Sequence, residues 1–220
     1  MAKINEHEMA LRLRKKGLSY SQIKETLGLS KSTLSRWLKD YPLSDERISE
    51  LRGSNQQRIE KFRATMQRKR QDRLDSVYNS LRGKLLPLSK KELYLAGLIL
   101  YWGEGGKTSY STIAVANTNP QIIKFAKKWL VECFDVDPHR FYIHLHLYKD
   151  MDIDKEISHW SNELSLDKSQ FRKPYVKSSR KSDLTYKGQF GHGTCNLYLG
   201  DVKIKEEILM GMKLLAEFPG

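Results

Sequence analysis

Long apolar runs are missing from this chain. None approaches the roughly 18 residues that a membrane span needs, so no membrane partner is expected. The opening stretch Met1-Ala2-Lys3-Ile4-Asn5-Glu6 also lacks the apolar core of a signal peptide. Cysteine is scarce: Cys133 and Cys195 are the only two. Two thiols make neither a disulfide framework nor a structural zinc site. Both lie in apolar-patterned segments, which predicts buried, unreactive side chains. These absences predict a reduced, cytoplasmic protein. Acidic side chains are in deficit too, with 26 Asp+Glu against 39 Lys+Arg and a formal net charge of +13. A balance this basic favours a polyanionic partner. Basicity alone does not choose between DNA, RNA and an anionic membrane surface.

Among its 220 residues, the first patterned segment is a set of three short helices. Met9, Leu11 and Leu13, with Arg12, Arg14, Lys15 and Lys16, predict a basic helix stopping at Gly17. Ser19 and Gln22 have the spacing of a capping box. Ile23 and Leu27 then face inward at i,i+4, and Gly28 ends the second helix. Ser30 caps a third, from Lys31 to about Lys39, with Leu34, Trp37 and Leu38 on its inner stripe. Its outer face carries Lys31, Ser32, Thr33, Ser35 and Arg36. Short hydroxyls flanked by cations suit a major groove, where Arg can pair with guanine and Ser or Thr can reach base edges. Over roughly residues 6–40 the segment resembles the helix-turn-helix of resolvases and related prokaryotic regulators. That resemblance implies that the third helix is the recognition helix. A DNA ligand would make the protein nucleoid-associated in a prokaryotic cell.

Tyr41-Pro42 breaks this pattern. From Ile48 to Leu85 apolar residues recur mostly at multiples of three and four, as in Ile59, Phe62, Met66, Leu74, Val77, Leu81 and Leu85. The spacing predicts one amphipathic linker helix. Its sparse seam suits either a weak coiled coil or packing on a second domain. Arg58, Lys61, Arg63, Arg68, Lys69, Arg70 and Arg73 cover much of the rest. Cations clustered here suit either a solvated linker or a helix that also neutralises phosphates.

The remainder alternates between helical and strand periods. Ser89 and Glu92 form a second capping box, opening a helix apolar nearly all round and so expected to be buried on most sides. Gly97 within it allows close approach of another element. Gly103 and Gly105 bracket Glu104 at its end. Thr112 to Asn117 reads as a strand, and Asn119-Pro120 starts a helix. Phe141 to Tyr148 alternates with Tyr142, His144, His146 and Tyr148 on one face. A helix follows from about Asp152 to Leu164. Phe171 to Lys177 reads as a strand carrying Lys173, Tyr175 and Lys177 on one side. The basic segment from Ser178 to Gly193 reads as a loop offering Arg180, Lys181 and Lys187. A strand from Thr194 to Leu199 and a helix from Lys203 to Leu215 close the chain. The fold class is therefore α+β, with a sheet covered on one face. Residues 1–43 are expected to be the helix-turn-helix, 44–87 a basic helical linker and 88–220 the second domain.

Leu95-Ala96-Gly97-Leu98-Ile99 followed by Gly103-Glu104-Gly105 resembles the LAGLIDADG motif of homing endonucleases. Val115-Ala116-Asn117-Thr118-Asn119-Pro120 and the helix after it are similar to that family as well. The resemblance covers roughly residues 90–216. It implies an αββαβαββα domain with a saddle-shaped sheet along the DNA. It also implies motif helices paired between two domains or two subunits, and an acid at each helix end holding a divalent metal at the scissile phosphate. The motif's first letters and its Gly-Glu-Gly end stand two residues out of register. Placing the acid from the helix end makes Glu104 the metal ligand and sets Trp102 where the motif's first acid usually stands.

The leading expectation is a Mg²⁺-dependent, site-specific endonuclease on double-stranded DNA. With one acidic motif per chain, it would act as a homodimer. Glu104 would bind the metal, and Lys177 would be a charge stabiliser or phosphate contact. Tyr142, His144, His146, Lys173, Tyr175, Arg180 and Lys181 would touch DNA. Read from the residues alone, Glu104 is a carboxylate suited to Mg²⁺ or a solvated residue beyond a helix end. His144 and His146 are DNA-facing side chains, structural histidines or two ligands of a zinc site without a third. The alternative function is a DNA-binding regulator without catalysis, which Trp102 favours. It resembles the bacterial sporulation regulator family with its domain order reversed. RNA binding is a third reading.

Overall fold

The computed structural model describes residues 2–51, 54–180 and 191–218. They form two compact units, Met1–Leu86 and Pro87–Gly220.

The first unit begins with α1 (Ala2–Lys15), α2 (Tyr20–Leu27) and α3 (Lys31–Trp37). Ser19 accepts from the Gln22 amide while the Gln22 side chain returns to the Ser19 amide, so both orphan donors are satisfied. Gly28 takes φ 67°, a left-handed value that a β-carbon opposes. Ser30 caps α3 by accepting from Thr33 N–H. Ala10, Tyr20, Ile23, Leu34 and Leu38 close a small core, with Leu27, Leu29 and Trp37 packed around it.

The connector is not one helix. α4 (Asp45–Glu50), capped by Ser44, ends at Leu51, whose backbone is extended. α5 (Ser54–Leu85) follows as a separate helix of 32 residues. Ile48 and Leu51 are buried, so these first two residues of the expected seam do not belong to the long helix. Beyond them the seam stays uncovered: Phe62, Met66, Leu74, Val77, Leu81 and Leu85 are all exposed. The root of α5 is fixed by a buried ion pair. Arg14 makes two hydrogen bonds to the Glu60 carboxylate, at 3.3 and 3.0 Å. Tyr20 N–H donates to the same carboxylate. Arg14 also donates to the Tyr41 and Leu18 carbonyls. The Tyr20 ring lies between the Arg14 and Arg63 guanidinium groups, at 4.4 and 4.1 Å.

The second unit runs α6 (Lys90–Glu104), β1 (Thr112–Asn117), α7 (Pro120–Phe134), β2 (Tyr142–Tyr148), α8 (Ile153–Leu164), β3 (Tyr175–Lys177), β4 (Thr194–Gly200) and α9 (Val202–Glu217). Among the described residues a single strand separates α6 from α7, where the family resemblance implied two. The place of the missing strand is taken by one isolated bridge, Gly105 to Val115, and by Gly106 N–H donating to Ala114 C=O.

The sheet order is β1-β4-β2-β3. β4 pairs antiparallel with both β1 and β2, and β3 lies parallel to β2. One face supplies Ile113, Val115, Ile143, Leu145, Leu147, Cys195, Leu197 and Leu199. They share a core with Trp129, Trp160, Tyr101 and Ile208 from the helices. Alternation along each strand therefore turns Tyr142, His144, His146 and Tyr198, all half-buried, to the opposite face, with Asn196 and Tyr148 buried among them.

α6 and α7 meet at Gly97. A β-carbon there would lie 2.2 Å from atoms of the buried Trp129 ring. We expect Gly97→Ala to destabilise the unit by about 1–3 kcal/mol through overpacking, read as a lower denaturant midpoint with an unchanged slope.

Asp201 caps α9 by accepting from Ile204 N–H and pairs with Arg140 at 2.8 Å. The Arg140 hydrogen bond, then the Ile204 amide, holds its carboxyl below the ordinary value of 3.8. A depressed folded-state value adds stability that is present above that ordinary value. It is lost as pH falls through the folded-state value. Asp201→Asn should therefore cost stability at pH 6, and the gap from the parent should close as the titration passes below pH 4.

Candidate nucleic-acid interface and acidic helix end

The outer side of α3 presents Lys31, Ser32 and Arg36 as exposed side chains, with Thr33 and Ser35 half-buried. The Ser32 and Thr33 hydroxyls each lie 2.9 Å from Ser30 Oγ. The cap thus fixes the position of both hydroxyls at the start of the helix. The Trp37 ring packs 5.0 Å from His7 of α1, bracing the far end.

A second surface is that opposite face of the sheet. The registers place Tyr142 opposite Tyr198, His144 opposite Asn196, His146 opposite Thr194 and Tyr175 beside His146. The Tyr142 and Tyr198 rings stack at 5.2 Å with planes 9° apart. His144 meets Tyr198 edge-on, and His146 meets Tyr175 in the same way. Arg172 lies 3.9 Å over the Tyr142 ring, and Lys177 Nζ 4.9 Å over Tyr148. Burial first, then Lys177 and His144, pushes the His146 imidazole below its ordinary value. At neutral pH the positive charge of this face comes from Arg172 and Lys177 rather than from His146. The result is an aromatic face with cations over it, a combination that can pack along a sugar-phosphate backbone.

Four of the expected DNA-contacting residues, Tyr142, His144, His146 and Tyr175, share this face with Lys177. Lys173 does not. Phe171 pairs with Ile143 and packs into the core, whereas Tyr175 pairs with His146. Four steps on one chain therefore span three on the other, and the expected alternation from Phe171 to Lys177 is broken. The regular strand is only Tyr175–Lys177, and Arg172 takes the cationic position over Tyr142. Arg180 is exposed, while Lys181 and Lys187 lie outside the described residues. Asn196 and Tyr198 belong to this face without having been singled out beforehand. The polar alternation of Thr194, Asn196 and Tyr198 was a usable signal for them. Arg172 had none, because a break in register leaves no local trace.

Glu104 is the last residue of α6 and is exposed. Its Oε2 accepts from Asn117 Nδ2 at 3.1 Å, tying the helix end to the end of β1. Behind the turn, the fully buried Lys205 donates to the Tyr101 hydroxyl and the Gly106 carbonyl. Tyr101 itself donates to Gly106 C=O. Burial, followed by the charge of Lys107, lowers the Lys205 ammonium below its ordinary value. This buried triad fixes the Gly105-Gly106 backbone and with it the exit of Glu104.

α6 is not buried all round. Leu93, Gly97, Leu98 and Tyr101 face the core, but Leu95, Ile99 and Trp102 are 36, 57 and 41% exposed. Their spacing of four and three makes one apolar stripe that runs toward Glu104. Lys177 is not brought to Glu104 within a chain. β1 and β3 are opposite edges of the sheet, three strand spacings or roughly 14 Å apart. No group of three or more His, Cys, Asp or Glu that could hold a metal occurs among the described residues. His144 and His146 therefore find no third zinc ligand there, and Glu104 offers one carboxylate per chain. No helix among the described residues is long and apolar enough to cross a membrane.

The capped helices, the Gly28 turn and the exposed basic face define the N-terminal segment as a helix-turn-helix. Residues 8–49 are similar to the homeodomain-like domain, whose family model they match. A domain of this class points to DNA binding. No curated protein and no solved structure matches the chain.

Proposed function

We propose that the chain is a sequence-selective binder of double-stranded DNA that acts as a homodimeric, Mg²⁺-dependent endonuclease of the LAGLIDADG type. In this reading residues 1–43 recognise, 44–87 connect and 88–220 cut. The observation that carries it is the unpartnered stripe Leu95, Ile99 and Trp102, which leads along α6 to an exposed carboxylate at the helix end. Pairing that stripe with a second copy would cover it and bring two Glu104 side chains together. One carboxylate from each copy, with phosphate oxygens, fits the donor set of a hard divalent ion. When bound, Mg²⁺ supplies Lewis-acid polarisation of the scissile phosphate.

The chain's own residues do the rest. Lys31, Ser32, Thr33, Ser35 and Arg36 read the major groove. Tyr142, His144, His146, Tyr175 and Arg172 hold the duplex on the sheet, and Lys177 meets a phosphate at its far edge. Lys173, Arg180 and Lys181 add backbone contacts. Asn117 orients Glu104, and Lys205 with Tyr101 keeps the Gly105-Gly106 turn in place.

A second reading, a DNA-binding regulator that does not cut, is favoured by one feature. Trp102 is apolar where the motif's first acid usually stands. The test is to select duplexes from a random library without metal and then add Mg²⁺. Defined double-strand ends support the nuclease. Selective binding with intact DNA leaves the regulator. No selection of any sequence would sink both.

A further inference from the structure

Within the first unit, α5 and the helix-turn-helix enclose an open groove of about 700 Å³. One wall carries Tyr20, Ser35 and Lys39. The other carries Arg63, Lys69, Arg70 and Arg73 of α5, with Phe62 and Met66 between them. We infer that this groove holds one sugar-phosphate strand of the DNA beside the major groove that α3 enters. The inference rests on the DNA-binding part of the reading above and is independent of cleavage.

Three observations support a polyanion as the occupant. Five cations line the groove against one carboxylate, Asp40. A second copy would bring the same cations against one another, whereas a phosphodiester strand neutralises them. Ser35 belongs both to the recognition face and to the groove wall, so the two surfaces are continuous. Phe62 and Met66, exposed at 65 and 49%, offer apolar patches against which deoxyribose can lie. The walls are held in place by the buried Arg14–Glu60 pair and by Arg63 over Tyr20. The cationic wall is therefore preorganised rather than assembled on binding.

The full-length chain would be titrated with a duplex it selects and with an unrelated duplex of equal length, at several salt concentrations. The Arg70→Gln/Arg73→Gln pair should lower the salt slope by about 2 and weaken both duplexes roughly 30-fold at 0.15 M salt. The preference between duplexes should stay unchanged, because backbone contacts carry no sequence information. Arg82→Gln/Lys84→Gln removes the same charge from the same helix outside the groove and should leave the slope near the parent value.

An unchanged slope in the Arg70/Arg73 variant, or an equal fall in the Arg82/Lys84 control, overturns the groove as a backbone site while the DNA-binding reading stands. A changed sedimentation coefficient with an unchanged slope would overturn it in favour of an interface between copies. Failure of the parent chain to bind either duplex removes both this inference and the reading it rests on.

Discussion

If the chain cuts DNA as proposed, Glu104→Gln is expected to lower Mg²⁺-dependent cleavage by about three orders of magnitude or more while duplex binding without metal is retained. The first half follows from charge. Glu104 supplies the single carboxylate at the α6 end, and an amide is a neutral and much weaker ligand for a hard cation. Losing several kcal/mol of transition-state charge stabilisation is at least a thousandfold in rate. The second half follows from the fold. Gln keeps an oxygen that can accept from Asn117 Nδ2, now 3.1 Å from Glu104 Oε2, so the helix end keeps its tie to β1. Removing a negative charge near phosphates should if anything tighten binding. Cleavage that survives in Glu104→Gln, measured as single-turnover rates on a selected duplex, would remove Glu104 from the chemistry. A fall in metal-free binding as large as the fall in rate would make it a folding residue.

Glu60→Ala should cost the first unit about 3–5 kcal/mol, the range for breaking a buried ion pair on one side. Arg14 and Glu60 are each 4% exposed. Removing the carboxylate strands a buried guanidinium and also leaves the Tyr20 N–H without its acceptor. Arg14→Met/Glu60→Met together should recover much of the loss, because neither charge is then buried. Denaturation of the full chain would show the effect as an early transition for the first unit, with the second unit's transition unmoved. A loss below about 1 kcal/mol would mean that water reaches the pair. The same variant loosens the root of α5, so its affinity for DNA should fall below that expected from folded fraction alone.

Each feature that was legible beforehand is set within a few residues. The two capping boxes, Ser19/Gln22 and Ser89/Glu92, need only an acceptor and a side chain three positions on. Gly28 marks its own turn through φ. The alternation from Tyr142 to Tyr148 and the end of α6 at Glu104 are likewise local. Errors arose where a long-range contact decided the outcome. The connector looked continuous by periodicity, but Ile48 and Leu51 are buried as part of α4 and the chain re-starts at Ser54. The stretch from Phe171 looked like an alternating strand, but packing of Phe171 into the core shifts its parity.

Sequence alone determined the helix-turn-helix, the alternating faces of the strands, the carboxylate at a helix end and a basic surface suited to a polyanion. These rest on backbone dihedrals, side-chain period and net charge, all of which act locally or as a sum over the chain. Only the tertiary structure decided that Arg14 of α1 anchors α5 across 46 residues. It also decided that Tyr198 stacks on Tyr142 with Arg172 above it, that Lys205 lies beneath the Glu104 turn, and that Lys177 stands at the opposite sheet edge. Such neighbours are chosen by strand register and helix packing. Those depend on which distant surfaces close the core with fewest voids and no orphaned charge, and no window of sequence contains that information.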